Sequence, residues 1–211
     1  PGAAVGADAL ARLVDGDLEG EVVLATEADK AVTLALAEPV DVERLLLVSR
    51  MGSTPLRFTV DYLPLDAEGD AFEQLFDQSG NASTKAELLL RAKKPVLTER
   101  VRLTFLDEGP VKLSEIGLYA ADATVPLRED IAAARAALAA VKVGEFAGDY
   151  TSASVDALAG VLDEAQKAVD AGLNSRDAAA WRDRVAEALR AFHREGRVTV
   201  DRNDLYVALE D

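Results

Sequence analysis

The chain has no cysteine. That excludes thiolate nucleophiles, thiolate metal sites and a disulfide framework, though not export, since exported bacterial proteins often lack disulfides. Histidine is reduced to His193 and tryptophan to Trp181, so imidazole-based catalysis has one candidate and indole platforms have one. Basic residues are outnumbered: 23 Lys and Arg face 38 Asp and Glu, for a net charge of −15. Nucleic acid is therefore not expected as a partner, because phosphate binding needs clustered Lys and Arg. Docking on anionic lipid is disfavoured for the same reason. No apolar run approaches the length of a membrane span, so membrane insertion is not expected. No secretory signal pattern is present, and the first residue is Pro1 rather than Met. This reads as a piece of a longer protein, with targeting signals and any catalytic domain outside it.

What is there is enough for a packed protein. Hydrophobic residues make up 49% of 211 residues, a globular composition with room for two modest domains. The apolar period changes near Thr124-Val125-Pro126. Before it, apolar residues alternate or form short runs rich in β-branched side chains. Ala31 to Leu36, Val42 to Val48, Leu56 to Tyr62, Lys85 to Leu90, Val96 to Phe105 and Val111 to Tyr119 read as strands. Turn signals at Glu38-Pro39, Gly52 to Pro55 and Glu108-Gly109-Pro110 separate them. Many short strands without helices between them predict an antiparallel two-sheet sandwich.

After Pro126 the period is helical. Ile131, Ala134, Leu138 and Val141 share one face, as do Val155, Leu158, Leu162, Ala165 and Val169, and then Ala178, Trp181, Val185, Leu189 and Phe192. Ser152 and Ser175 are expected as caps, and Pro126 suits a first helical turn. Short loops imply antiparallel neighbours, hence a three-helix bundle. The expected boundaries are 1–123 for the sandwich, 124–196 for the bundle, and 197–211 for a tail. That tail reads either as a small hairpin or as the start of another module.

Asp15-Gly16-Asp17 places two carboxylates around a glycine. The spacing suits a tight loop that turns oxygens toward one hard cation, and it equally suits a plain turn. Together with Val101 to Phe105 and the segment Leu113-Ser114-Glu115-Ile116-Gly117-Leu118-Tyr119, it resembles the discoidin-type β-sandwich. That fold is shared by coagulation-factor C-terminal domains and family 32 carbohydrate-binding modules, and is galactose-binding-like. The resemblance implies a structural calcium site at Asp15, Asp17 and Glu115, and a sugar site on loops at one end of the sandwich. Gly20 stands where the family commonly has Thr, and no aromatic follows it. Sugar binding needs an aromatic platform and planar polar groups. This region has neither Trp nor His, so Arg50 and Phe76 are the ligand-binding candidates, with Phe72 read as packing.

The helical half resembles a FIVAR module over about Leu127 to Arg194. Tyr150-Thr151-Ser152 at the entry to the second helix and Leu162-Asp163-Glu164-Ala165 within it carry that likeness. Such modules lie between domains of bacterial surface and secreted glycan-processing enzymes. His193 reads as a solvent-side or dipole-partner residue and Trp181 as core. Asp163, Glu164, Arg182, Arg184 and Arg190 read as a solvated, salt-paired face, or as a surface docking a partner module. Asn81-Ala82-Ser83 matches a glycosylation acceptor, incidental in a bacterial protein.

The resulting expectation is a non-catalytic accessory region of a secreted or cell-surface bacterial glycan-active enzyme, such as a glycoside hydrolase. Its partners would be a glycan or neighbouring domains of that enzyme. The alternative is a fragment of a structural or adhesive surface protein that binds protein or no ligand. No residue constellation argues for catalysis within the chain.

Overall fold

The computed structural model describes residues 6–199. They divide into two compact units between Ala121 and Asp122. The first unit opens with a short helix α1 (Ala7–Ala11) and a 3-10 turn (Arg12–Val14). Strands β1 (Val22–Leu24), β2 (Ala31–Ser49), β3 (Phe58–Pro64), β4 (Glu73–Gln78), β5 (Glu87–Phe105) and β6 (Val111–Ala120) follow. Every strand pair is antiparallel, and the order is β1-β6-β2-β5-β3-β4.

The antiparallel β class is as expected, but the two sheets are one continuous sheet. The separate strands expected at Ala31 to Leu36 and Val42 to Val48 are the two ends of β2. Lys85 to Leu90 and Val96 to Phe105 are likewise joined as β5. The turn signal at Glu38-Pro39 is absorbed as an irregularity, and so is Pro95 in β5. Register shifts lie between Ala35 and Val40 and between Val42 and Arg44, and both prolines fall in these gaps. A proline has no N–H to give a ladder, so such gaps are where a strand tolerates it.

A straight 19-residue strand would run to about 60 Å, far too long for a domain of this size. β2 and β5 must therefore bend, and the bulged gaps allow it. The far half of β2, from Val42 to Ser49, pairs with β6. The far half of β5, from Thr98 to Phe105, pairs with β3. Leu45, Leu47, Leu113 and Ile116 from one end share a single core with Phe58, Val60, Leu103 and Phe105 from the other. The rings of Phe58 and Phe105 sit 6.1 Å apart in it.

Three elements were not foreseen. β4 reads Glu-Gln-Leu-Phe-Asp-Gln and lies at one edge of the sheet, where an alternating pattern is weakest. β1 has three residues at the other edge. α1 is too short for a helical period to show.

The second unit contains α2 (Val125–Ala139), α3 (Ser152–Ala171) and α4 (Ser175–Glu195), each packed against the other two. Leu127, Ile131, Leu158, Leu162, Ala165, Val185 and Phe192 form its core. Pro126 sits in the first turn of α2. The caps lie one residue before the serines expected. Thr151 accepts from the Ser154 N–H at 3.2 Å, and Asn174 from the Asp177 N–H at 3.0 Å. Both have extended backbone, which aims the side chain back at the open first turn. Ser152 and Ser175 are already helical. Trp181 is partly buried against the core, with Arg184 over its ring at 4.0 Å. His193 is exposed in the last turn of α4 and approaches the Tyr150 hydroxyl at 3.4 Å. Of the 197–211 tail, Arg197 bridges to Tyr150; both the hairpin reading and the further-module reading fall on residues outside those described.

Thr151→Ala and Asn174→Ala should each lower the stability of the helical unit by about 1 kcal/mol in urea unfolding, while Ser152→Ala and Ser175→Ala change it by less than about half of that.

Candidate functional site

Leu13, fully buried, anchors the 3-10 turn in the sheet's core, and the chain then swings into the acidic loop. Gly16 has φ +81°, a left-handed conformation that a side chain would strain. The Asp15 carboxylate accepts the Asp17 N–H at 2.8 Å, and the Asp17 carboxylate accepts the Glu19 N–H at 2.9 Å. These are two successive aspartate turns, the local reason the sequence bends here.

The loop is clasped from β6. Glu115, only 7% exposed, accepts the Gly16 N–H at 3.2 Å. Beside it, Ser114 donates its hydroxyl to the Gly20 carbonyl at 2.6 Å and accepts from Arg50 Nε at 2.7 Å. Arg50 also donates to the Leu18 carbonyl. Three side chains from the end of β2 and from β6 therefore hold the 15–20 segment. Burial pushes the Glu115 carboxyl above its ordinary pKa. The Gly16 N–H opposes this, and the charges of Asp15 and Asp17 add to it.

The loop that carries Asp15 and Asp17 thus meets Glu115 through the Gly16 N–H. Among the described residues, no group of three acidic or imidazole side chains is gathered closely enough to hold a metal by itself. The expected ligand residues fare differently. Phe76 belongs to the core at 8% exposure, because the inner face of β4 needs an apolar side chain there; its ring is not available as a sugar platform. Arg50 is committed to the acidic loop through Ser114 and Leu18, so it positions backbone. Phe72 is half-buried beneath the Arg102 guanidinium, 4.2 Å from its ring, and Arg102 also pairs with Asp61 at 3.2 Å. Asn81 is structural: its amide donates to the Leu56 carbonyl at 2.8 Å.

Sequence reasoning missed Tyr119. Within the strand motif it looks like a core residue, yet it is 42% exposed. It lines a groove of about 730 Å³ between α1 and the edges of β2 and β6, along with Val14, Asp15, Leu34, Leu36 and Glu115. The alternation of β6 was the available signal: Ile116 and Leu118 face inward, so Glu115, Gly117 and Tyr119 do not.

No protein-family model and no curated protein matches the chain. Solved structures do. The module CpGH89CBM32-6 produced by Clostridium perfringens is 26% identical, over 56% of this chain and 89% of that one, with a TM-score of 0.49. Module CBM32-1 from a family 31 glycoside hydrolase of Clostridium perfringens is 17% identical, over 55% and 87%, at 0.46. The family 32 module of C. perfringens NanJ, solved with galactose, is 10% identical, over 51% and 81%, at 0.41.

A raised carboxyl pKa means that the fold holds the proton more tightly than the unfolded chain does. Stability from this group is then highest at low pH and falls as pH rises past the ordinary carboxylate range. In chelator, the wild type should lose stability relative to Glu115→Gln as pH rises above the ordinary carboxylate range. Parallel urea-unfolding curves for the two across that rise would show that Glu115 carries no such burden.

Proposed function

We propose that this chain is a non-catalytic accessory region of a secreted or cell-surface bacterial enzyme that acts on glycans. The β unit binds carbohydrate, and the helical unit is a FIVAR-like spacer. The observation that carries this reading is the clasp between the Asp15-Gly16-Asp17 loop and Glu115 in the strand Leu113 to Tyr119. Two of the segments on which the discoidin-type resemblance rests meet through the Gly16 N–H, which Glu115 accepts across 99 residues.

The same clasp suits a structural calcium ion. Burial raises the Glu115 carboxyl first and the charges of Asp15 and Asp17 add to it; a hard cation would offset both. Asp15, Asp17 and Glu115 would supply part of the shell. Loop carbonyls and water would supply the rest, as calcium's six to eight oxygens require. The ion's contribution would be to fix the loop.

An adhesive or structural surface protein is the second reading. Phe146 favours it, since it stands 76% exposed in the loop between α2 and α3, near Val143 at 49%. Binding of the full chain to a glycan array separates the two, because only the first reading gives saccharide hits.

Calcium should raise the unfolding temperature of the β unit, magnesium less so, and the helical unit should not respond. At a hundred times the dissociation constant the gain is about 2.7 kcal/mol. Asp15→Ala should abolish the gain and Glu115→Gln should reduce it. A melting curve identical in calcium and in chelator would reduce the loop to a turn.

A further inference from the structure

The seam between α3 and α4 opens into a groove of about 250 Å³. Leu158 and Phe192 form its buried floor, and Ala157, Val161, Ala188 and Ala191 rise beside them. Its lining comes from α3, α4 and Gly196 alone. Polar side chains reach it only through Ser154 and Glu195, at the Gly196 end. An apolar trough of this kind is stabilised by an apolar occupant, because each covered side chain leaves water.

The chain leaves α4 at the mouth of this groove, and its exit is clamped. The Gly196 carbonyl accepts the Thr151 N–H at 2.9 Å and the Ser154 hydroxyl at 3.1 Å. A Cβ on Gly196 would lie 2.9 Å from Ser154 Oγ and 3.0 Å from Tyr150 Cδ1, so only glycine passes there. Two residues on, the Val198 N–H donates to the Asp149 carbonyl at 2.8 Å, and the Val198 carbonyl accepts the Gly148 N–H at 3.1 Å. Arg197 Nε reaches the Tyr150 hydroxyl at 3.3 Å. The entry of α3 thus fixes the point from which the following residues start.

Beyond Val198 the sequence reads Thr199-Val200-Asp201-Arg202-Asn203-Asp204, and then Leu205-Tyr206-Val207-Ala208-Leu209. The first part ends in turn formers. The second puts five apolar residues in a row before Glu210 and Asp211. The six residues 199–204 span at most about 20 Å. The groove runs back along α4 from Gly196 to Ala188, about 12 Å at the helical rise. The tether therefore reaches its whole length. A tether this short holds the apolar run at a local concentration on the order of millimolar, which a second copy or a free partner would have to outcompete.

We propose that the α3–α4 groove is the seat of the chain's own segment Leu205 to Leu209. The turn formers at 201–204 reverse the chain at the Gly196 end, and the apolar run lies back between Val161 and Ala188. Clamp and groove are then two stages of one fastening. Hydrogen bonds fix where the chain leaves α4, and apolar burial fixes where it goes next. The contact goes beyond the spacer reading, and it does not depend on carbohydrate binding by the β unit.

The chain has no cysteine of its own, so paired substitutions in the full chain report proximity without background. Val207→Cys with Ala157→Cys puts one thiol in the segment and one on the groove wall. Val207→Cys with Ala133→Cys is the control, since Ala133 lies on α2 and lines a different groove. A disulfide needs its two Cα atoms within about 7 Å. Under mild oxidation at high dilution, the groove pair should close within one chain about tenfold faster than the control pair. Equal rates overturn the docking. A groove pair that closes only between chains, and less so on dilution, overturns it in favour of a second copy. Without any cysteine, Leu205→Asp with Leu209→Asp should lower the melting temperature of the helical unit by about 5 °C and leave the β unit unchanged. Unchanged melting in that variant overturns the docking. Should the double aspartate chain not fold, the crosslinking rates alone decide.

Discussion

The paired, bent strands β2 and β5 are the constraint on which the β unit depends. Each is 19 residues long, and neither can lie straight in a domain of this size. Because they bend together, one ribbon reaches both ends of the core. β6 hangs on β2 and β3 hangs on β5; β1 and β4 follow as edges. The bends fall where the ladder is already broken, around Pro39 and Pro95. The acidic loop inherits its position from this ribbon, since Arg50 follows the end of β2 and Ser114 and Glu115 lie on the strand that β2 carries.

Much of this was legible in the residues, for identifiable reasons. Leu56 to Tyr62 and Val111 to Tyr119 have one face in the core and one outside, which writes a period of two into the sequence. The helices of the second unit bury one stripe each and write a longer period. β4 left no such mark, because an edge strand needs few apolar side chains. The joining of β2 was hidden because Glu38-Pro39 has the composition of a turn whether the chain reverses or merely bulges. Helix entry was misread by one residue at both Thr151 and Asn174, since each cap is followed by a serine that caps equally well on composition.

The candidate site was legible unevenly. Asp15, Gly16 and Asp17 sit close in sequence and make their own turns, so the loop could be read locally. Arg50 could not. Its partners Leu18 and Ser114 lie 32 and 64 residues away, and an arginine near a strand end looks the same whether it faces ligand or backbone. Phe76 was misread because a short supply of aromatics made each one look functional, while the small core of the sheet needed it. Tyr119 was overlooked for the opposite reason: in a strand motif it passes for packing, and only the alternation along β6 turns it outward.

The clasp also has a temporal side. Gly16 reaches Glu115 across 99 residues and Gly20 reaches Ser114 across 94. During synthesis the loop is made almost first and its partner strand almost last within the β unit. The ribosome thus exposes an acidic segment that has nothing to hold until the whole sheet has been delivered. Pairings this distant in sequence close slowly, whereas the helices that follow draw mainly on nearer neighbours. The unit that emerges first is therefore the one completed under the greater delay, and its closing step waits on a strand made immediately before the helical unit begins.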